Sequence, residues 1–393
     1  MKKHVLKNLL LGAMLYLPAI TFGQADSTTQ GAIMNRPLNK MTSGLAIGGY
    51  VEGNSNYLVE DGLTDGFSLE LRRFNLFIQS EVGNRISFLS ELEFEHGTEE
   101  IALETALLDF TIDPMLVFRG GIILPPIGQF NVRHDSPLWN IVDRPDVSTK
   151  IIPSTLSEVG FGFHGKRFIT RNRFFTYDVY LVNGLNDGIY LTNDNLDLSA
   201  GKGGTLFEEN HNGNPMYTGR VAVGERKFGE FGLSYYGGVY NTHRLDGLKL
   251  ADKRRLDLVA FDYSYSQNKL MINAEGAWLT VDAGPNPGNF LATQQFGFFL
   301  DFGYKLFIGS FLGFENSEIG GHLRSEYVDL HTSTIVGGGE AGNEILAFTP
   351  SLTWRPNQNA VLKINYRYSE STDLLNNPAA RAGLFQIGIA SYF

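Results

Sequence analysis

Three glutamates, Glu91, Glu93 and Glu95, recur at every second position of one short run, the segment from Arg85 to Glu95. Alternate residues of a β-strand point to the same face, so a strand would carry all three carboxylates on one side, whereas a helix would scatter them. The other positions are mostly large and apolar, namely Ile86, Phe88, Leu92 and Phe94, with Leu89 and Ser90 as the exceptions. The pattern predicts a strand with one face in water and the other in hydrocarbon.

Histidine is the side chain most often used in catalysis and metal binding, but here it forms no motif. Seven histidines are scattered over the chain after the N-terminal region, with no nucleophile elbow and no H-E-x-x-H pair. Asn193, Asn195 and Asp197 resemble the start of a calcium loop, but Leu198 occupies the glycine position and no glutamate closes the loop. We therefore expect no enzyme, no metal and no cofactor.

The composition excludes two broad classes of protein. Charged residues make up 19% of the chain and aromatic residues 12%, and the mean hydropathy is -0.11, so the chain is neither a disordered polyelectrolyte nor a bundle of membrane helices. Cysteine is absent, which excludes disulfides and thiolate metal sites. The formal net charge of -10 makes nucleic acid an unsuitable partner.

The N-terminus has the form of a secretory signal peptide. Met1-Lys2-Lys3 precedes an apolar stretch from about Leu9 to Ile20, which is shorter than the ~20 residues that span a bilayer. We expect cleavage after Gly23, with cleavage after Ala25 as the second choice. Residues 24–43 are polar and unpatterned and are expected to form a short, poorly ordered periplasmic arm, and residues 44–393 the folded domain.

Short and long connections alternate along the chain after Gly44, and about sixteen strand-like segments lie between them. In one of these, Met115 to Leu124, the pattern puts Leu116, Phe118, Ile122 and Leu124 on the lipid side and Arg119 on the other. Pro350 removes a ladder donor inside a later segment, where we expect a bulge or weak pairing. The polar faces carry too many charges to pack as a dry core. The sequence thus predicts an all-β protein, a transmembrane antiparallel β-barrel of about sixteen strands with a water-filled lumen.

The segment from Pro125 to Ser157 is too long and too rich in proline for a turn. It mixes charges of both signs with apolar residues that a disordered loop would hardly need, namely Leu138, Trp139, Ile141 and Val142. We expect those apolar side chains to pack against the inner wall, so that this third long loop folds inward and sets the narrowest point. The residues predicted to line the pore and its constriction are Arg73, Arg119, Arg133, Arg144, Lys150, Glu91, Glu93 and Glu95.

Several fragments of the chain resemble the phosphate-selective porin O and P family. They are Leu71-Arg72-Arg73-Phe74, Leu103-Glu104-Thr105-Ala106, the run from Gly120 to Gly128, Arg144, Asn183-Gly184, Trp354-Arg355-Pro356-Asn357, and Ile387 to Phe393. The resemblance implies a sixteen-stranded, homotrimeric channel in the bacterial outer membrane whose third long loop forms the constriction. It also implies that Phe393 is the terminal aromatic recognised by the barrel assembly machinery.

This sequence differs from the family in the residues that would set ion selectivity. Phosphate-selective members have a ladder of lumenal arginines and lysines, whereas here Asp135, Asp143 and Asp146 accompany the basic residues of the loop. We therefore expect passive diffusion of small hydrophilic solutes, with anions such as phosphate left open. Two alternatives remain at this point: a binding or adhesion barrel that does not conduct, and a barrel hydrolase.

Overall fold

The computed structural model describes residues 36–42, 44–97, 99–192, 195–203, 207–208, 212–284, 291–332, 334–335 and 339–393. The signal peptide predicted for residues 1–23, and most of the predicted arm, lie outside these ranges. Among the described residues, no helix is long and apolar enough to cross a membrane.

Sixteen antiparallel strands form one closed barrel, as the sequence predicts. They are β1 (Leu45–Glu60), β2 (Phe67–Gly83), β3 (Ile86–Glu95), β4 (Glu100–Asp113), β5 (Leu116–Ile123), β6 (Glu158–Phe168), β7 (Arg173–Val182), β8 (Met216–Glu225), β9 (Gly229–Val239), β10 (Arg255–Gln267), β11 (Leu270–Val281), β12 (Gln294–Phe311), β13 (Phe314–Asp329), β14 (Glu344–Asn357), β15 (Ala360–Ser371) and β16 (Ala380–Tyr392). Each strand pairs with its neighbours in sequence, and β16 pairs with β1 from Tyr50↔Tyr392 to Glu60↔Ala382, which closes the sheet.

The two ends of the barrel differ in the length of their connections. Turns of two to four residues join the strands at one end, for example between β2 and β3, whereas the other end carries the long loops. Short periplasmic turns and long extracellular loops are the usual arrangement of outer-membrane barrels. The longest loops are loop 3 (residues 124–157) and loop 4 (residues 183–215).

The outer face is apolar and the inner face is mainly polar. Phe161, Trp278 and Ile389 are more than half exposed on the outside, where lipid would cover them. Leu124 is an exception to the predicted pattern, because β5 ends at Ile123 and the loop turns Leu124 into the interior, where its exposed fraction is 4%. The ladder between β14 and β15 lacks pairs at Thr349 and Pro350, which confirms the weak pairing expected from the proline.

Two bulges turn an additional charged residue into the lumen. Arg72 is the extra residue in the β1–β2 ladder, so that Arg72 and Arg73 both point inward. Glu104 is the extra residue in the β3–β4 ladder, so that Glu104 and Thr105 are both buried inside. A bulge lets two consecutive side chains share one face, which regular alternation forbids.

The described end of the N-terminal arm is packed against the barrel. The short strand Asn39–Thr42 pairs with the start of β1, and Arg36 is buried inside the lumen. Its guanidinium lies 4.1 Å from the ring centroid of Phe77, an inward-facing residue of β2. This part of the arm is therefore an element of the pore interior, where the sequence predicted a poorly ordered segment.

Loop 3 folds into the barrel, as expected. It contains two short 3-10 turns, Phe130–Val132 and Ser136–Leu138, and one five-residue helical turn, Val147–Ile151. Its side chains and backbone contact inward-facing residues on most of the circumference, and these contacts define the candidate site.

Candidate functional site: the constriction formed by loop 3

The two ends of loop 3 are held by apolar packing. Seven apolar residues of loop 3 belong to one buried cluster, namely Leu124, Ile127, Val132, Val147, Ile151, Ile152 and Leu156. They form one cluster with inward-facing side chains of β3 to β13 and with residues of loop 4, and no buried member of the cluster comes from β14, β15, β16, β1 or β2. Burial of this apolar area fills one side of the lumen, which we call the dry side. Leu89, an exception to the alternation of β3, belongs to this cluster.

The middle of loop 3, residues 133–146, is held by hydrogen bonds and ion pairs to the opposite wall, which we call the charged side. Lys363 of β15 donates to the carbonyl oxygen of Ser136 at 2.9 Å, and Arg355 of β14 donates to the carbonyl oxygen of Pro137 at 2.8 Å. The amide of Val142 donates to Asn365 Oδ1 at 3.0 Å. Buried backbone groups that would otherwise lack partners are thereby satisfied by the wall.

The apolar residues predicted to anchor the loop fall into two groups. Ile141 and Val142 are buried, and Trp139 packs on Phe299 of β12 with ring centroids 6.3 Å apart, which confirms the prediction for these three residues. Leu138 is 40% exposed and anchors nothing, so that part of the prediction is wrong.

All three aspartates in the middle of loop 3 form ion pairs with arginines from outside the loop. Asp135 accepts two hydrogen bonds from Arg36, at 2.9 and 2.7 Å. Asp143 pairs with Arg72 at 2.9 Å, and Asp146 pairs with Arg367 of β15. These contacts neutralise the acidic charge of the loop and attach it to the wall at two points and to the arm at one.

The predicted glutamates of β3 are neutralised in the same way. Arg73 lies between three carboxylates, at 3.1 Å from Glu52, 2.8 Å from Glu93 and 2.6 Å from Glu95. Glu91 accepts from Arg36 at 2.7 Å. The structure thus brings Arg73, Glu91, Glu93 and Glu95 together beside loop 3.

The basic residues of loop 3 are not paired in this way. Arg133, Arg144 and Lys150 have no carboxylate within salt-bridge distance among the residues that the structure describes. Arg144 donates to Thr155 Oγ1 at 3.2 Å, and its other terminal nitrogen is buried without a hydrogen-bond partner in the described part of the chain. Lys150 is exposed. Loop 3 therefore has neutralised acids and uncompensated cations.

A cavity of about 470 Å³ opens between loop 3 and the wall formed by β1, β2, β15 and β16. Its lining contains five cationic side chains, Arg72, Arg73, Arg144, Lys150 and Arg367, and three carboxylates, Glu60, Asp143 and Asp146. The cavity lies at the charged side of the lumen. Three of the five cations are paired with carboxylates, whereas Arg144 and Lys150 have no carboxylate partner among the described residues.

Lys202 of loop 4 adds a further cation near this cavity. Its ammonium group donates to the carbonyl oxygen of Thr155 at 2.7 Å, so Lys202 and Arg144 contact the same residue of loop 3. The pKa of Lys202 is lowered to about 8, mainly because the group is buried and secondly because of the nearby positive charge of Arg144. The charge at this position is therefore sensitive to mildly alkaline pH.

Arg119 occupies a separate position. It donates twice to Asp109, at 2.7 Å each, and His164 lies 3.5 Å from the same carboxylate. No hydrogen bond or ion pair joins Arg119 to loop 3 within the described residues. Its predicted contribution to the constriction thus stays a prediction.

Several residues of the site are absent from the set predicted from the sequence, among them Arg36, Arg72 and Glu104. Arg36 lies in the arm, where the sequence has no strand pattern. Arg72 and Glu104 lie at bulges that interrupt the two-residue period of their strands. A pair of adjacent inward-facing polar residues, such as Arg72-Arg73 or Glu104-Thr105, interrupts a two-residue period. Such an interruption is the signal that could have indicated the bulges.

Phe393 lies at the end of the barrel that carries the short turns. Its amide donates to the carbonyl oxygen of Gly49 at 3.0 Å, and its ring stacks on Phe74 with centroids 5.6 Å apart. The ring is 48% exposed. The ring of Phe393 is thus fixed at this end of the barrel, and one of its faces is accessible.

Comparisons of the sequence with known families and proteins assign no family to this chain. No family model matches the chain, so the resemblance to the phosphate-selective porin O and P family stays a prediction. An uncharacterized protein of Aquifex aeolicus (strain VF5) is 26% identical over 376 residues, which cover 88% of this chain and 80% of that protein.

Several solved structures share the fold at low sequence identity. OmpF of Salmonella typhi, in complex with daunomycin, has a TM-score of 0.55 and 10% identity, covering 90% of this chain and 99% of that one. The outer membrane channel DcaP of Acinetobacter baumannii has a TM-score of 0.54 and 12% identity, covering 90% and 99%. OprB of Pseudomonas putida has a TM-score of 0.52 and 12% identity, covering 89% and 94%. The chain is thus an outer-membrane β-barrel, and its apolar outer face and closed sheet place it in a bacterial outer membrane.

Proposed function

We propose that this protein is an outer-membrane porin, a channel for passive diffusion of small hydrophilic solutes that prefers small anions, with phosphate among them. A sixteen-stranded barrel is wide enough to leave an aqueous path where its lumen is not filled. The conducting path would follow the charged side, through the 470 Å³ cavity, because apolar packing fills the dry side.

The observation that carries the anion preference is the unequal pairing of charges in loop 3. Asp135, Asp143 and Asp146 are each paired with an arginine, whereas Arg144 and Lys150 face the cavity without a carboxylate partner among the described residues. A count of the acidic and basic residues of loop 3 would give nearly equal numbers. Because the acids are paired, the charges of Arg144 and Lys150 are the ones that act on a passing ion.

Reversal potentials across planar bilayers test this proposal. In a potassium chloride gradient, the wild-type channel should be anion-selective, and the double variant Arg144→Glu/Lys150→Glu should shift the reversal potential toward cations. Arg244→Glu, at an exposed site in a hairpin outside the cavity, serves as the matched control and should leave it unchanged.

Addition of phosphate to the chloride solution extends the test to the solute. Competition would appear as a decrease in chloride current that is absent in the Arg144→Glu/Lys150→Glu variant. An assembled barrel that conducts no ions would contradict the proposal and favour a binding or adhesion barrel. The proposal assigns no catalytic role, and hydrolysis of ester or peptide substrates by the purified barrel would contradict that part.

The proposal includes assembly as a homotrimer that the barrel assembly machinery inserts, with Phe393 as the recognised residue. The fixed, half-exposed ring of Phe393 supports this role. Phe393→Ala should lower the amount of heat-modifiable protein in outer membranes. Phe314→Ala, at another exposed aromatic residue near the short turns, is the control.

A further inference from the structure

His134 of loop 3 is fixed in one orientation by its neighbours. Its Nδ1 lies 3.0 Å from the carbonyl oxygen of Asn131, and its Nε2 lies 3.1 Å from Glu104 Oε2. Asn131 is itself held, because its amide donates to the carbonyl oxygens of Pro125 and Leu156, and its Oδ1 accepts from the amide of Leu156. A carbonyl oxygen only accepts hydrogen bonds, so Nδ1 carries a proton.

This assignment has a consequence for the other ring nitrogen. A neutral imidazole protonated at Nδ1 has a lone pair at Nε2, and that lone pair would face a carboxylate oxygen of Glu104. Two acceptors do not approach within 3.1 Å unless a positive species lies between or beside them. That species is either a proton, on the ring or on Glu104, or a metal ion.

The surrounding atoms favour a metal ion. One atom from each of Glu91, Glu104 and His134 lies within 4.8 Å of the others, and all three residues are buried. The second oxygen of Glu91 accepts from Arg36 at 2.7 Å, which fixes the carboxylate and leaves Oε1 facing His134 at 4.0 Å. The bulge in β4 re-aims Glu104 into this cluster, and bulges commonly occur beside functional sites.

Two further oxygens at the cluster lack partners. Thr105 is directly opposite Glu91 in the β3–β4 ladder, is fully buried, and its hydroxyl has no hydrogen-bond partner among the described residues. Asn75 is also fully buried; its Nδ2 donates to Glu91 Oε1 at 2.7 Å, and its Oδ1 has no partner in the same part of the chain. Buried oxygens without donors are costly, so the wall around Glu91 lacks partners for two of its polar groups.

We propose that Glu91, Glu104 and His134 bind one divalent transition-metal ion, with Zn²⁺ as the probe of choice. A set of one imidazole nitrogen and two carboxylate oxygens suits Zn²⁺ and its neighbours in the first transition series. The hydrogen bond from Nδ1 to Asn131 is the outer contact that orients ligating histidines. The ion joins β3, β4 and loop 3 at one point. The site does not depend on whether the barrel conducts.

Zinc content of the untagged, full-length barrel in detergent tests the proposal. The protein is stripped with EDTA, incubated with ZnCl₂, separated by gel filtration, and measured by inductively coupled plasma mass spectrometry. We expect one zinc ion per chain in the wild type, and affinity at least about tenfold weaker in Glu104→Gln and His134→Gln. Glu60→Gln, at an exposed carboxylate of the cavity, is the matched control and should bind like the wild type.

The X-ray absorption spectrum of the zinc-loaded wild type tests the same site without any substitution. It should show one imidazole ligand among oxygen ligands, with metal-ligand distances of about 2.0 to 2.2 Å. A spectrum with no imidazole or with several would overturn the proposal. So would a heat-modifiable wild type that retains no zinc, or equal retention by the two variants, and His134 would then be an imidazolium paired with Glu104.

Discussion

The dry side and the charged side of the lumen hold the same loop by different forces. On the dry side, residues such as Val147 and Ile151 are completely buried among apolar side chains from the wall and from loop 4. On the charged side, Asp143 and Asp146 pair with arginines that remain partly accessible, with side-chain exposed fractions of 17% for Arg72 and 15% for Arg367. Apolar packing is non-directional and strong in sum, whereas accessible ion pairs are weak singly.

The two parts of loop 3 therefore have different roles, one in positioning the loop and the other in setting its free charges. We expect the apolar ends of loop 3 to determine where the loop lies, because burial of apolar area is strong in sum. The polar middle determines which charges remain free, because each ion pair removes one acid from the field of the path. Substitutions on the dry side should therefore change stability, and those on the charged side should change selectivity.

The largest expected effect is on stability, from a charge placed on the dry side. Ile151→Asp would bury a carboxylate without a partner, which costs about 3 to 5 kcal/mol. We expect a lower midpoint of urea unfolding, followed by the heat-modifiable shift on gels. Leu138→Asp, in the same loop but exposed, should change stability by less than about 0.5 kcal/mol. Equal effects of the two substitutions would show that loop 3 is not docked as described.

The next effect is on conductance, from removal of the polar middle. Deletion of residues 136–149 removes the segment that spans the charged side, so the unitary conductance should rise severalfold in single-channel recordings. Deletion of residues 244–249, an exposed hairpin between β9 and β10, is the control and should leave conductance close to that of the wild type. An assembled deletion variant with unchanged conductance would mean that the conducting path does not pass loop 3.

A smaller effect is expected from breaking one ion pair from either side. Asp143→Asn removes one carboxylate from Arg72, which keeps its 2.9 Å ion pair with Glu70, and Arg72→Gln leaves Asp143 without its arginine. Both substitutions remove the same 2.9 Å contact between Arg72 and Asp143. The loss of stability should be similar, about 1 kcal/mol or less. Reversal potentials should move in opposite directions, toward anions for the first variant and toward cations for the second. Movement in the same direction would show that loosening of the loop, not charge, sets selectivity.

The smallest effect concerns pH. The pKa of Lys202 is lowered to about 8, so its ammonium group is mostly charged at pH 7 and mostly neutral at pH 9. The preference for anions should therefore decrease as pH rises through this range, as measured by reversal potentials. Lys202→Met should remove this dependence, and Lys150→Met should retain it. A pH dependence that survives in Lys202→Met would assign the titration to another group.

Much of the barrel follows from local pattern. Phe88 against Glu91, or Tyr366 against Lys363, shows the alternation of a strand between lipid and lumen, and the sixteen segments follow from it. The inward course of loop 3 also follows from its length and its apolar residues. These features are predictable because the two-residue period depends only on neighbours along the chain.

The exceptions to that pattern depended on the partners inside the lumen. Leu89 and Phe77 point inward although they are apolar, because Leu89 meets the apolar cluster of the dry side and Phe77 meets Arg36. Arg72 and Glu104 point inward because bulges change the phase of β2 and β4. A single strand contains no information on what will face it across the lumen.

The sequence by itself determined the closed barrel, its membrane-facing surface and the set of charges available to the pore. Only the tertiary structure decided which of those charges are neutralised. Asp135 pairs with Arg36, 99 residues away, and Asp146 with Arg367, 221 residues away. Ion pairs of this kind form where closure of the sheet and docking of loop 3 bring the groups within hydrogen-bond distance, and no local period in the chain encodes that distance.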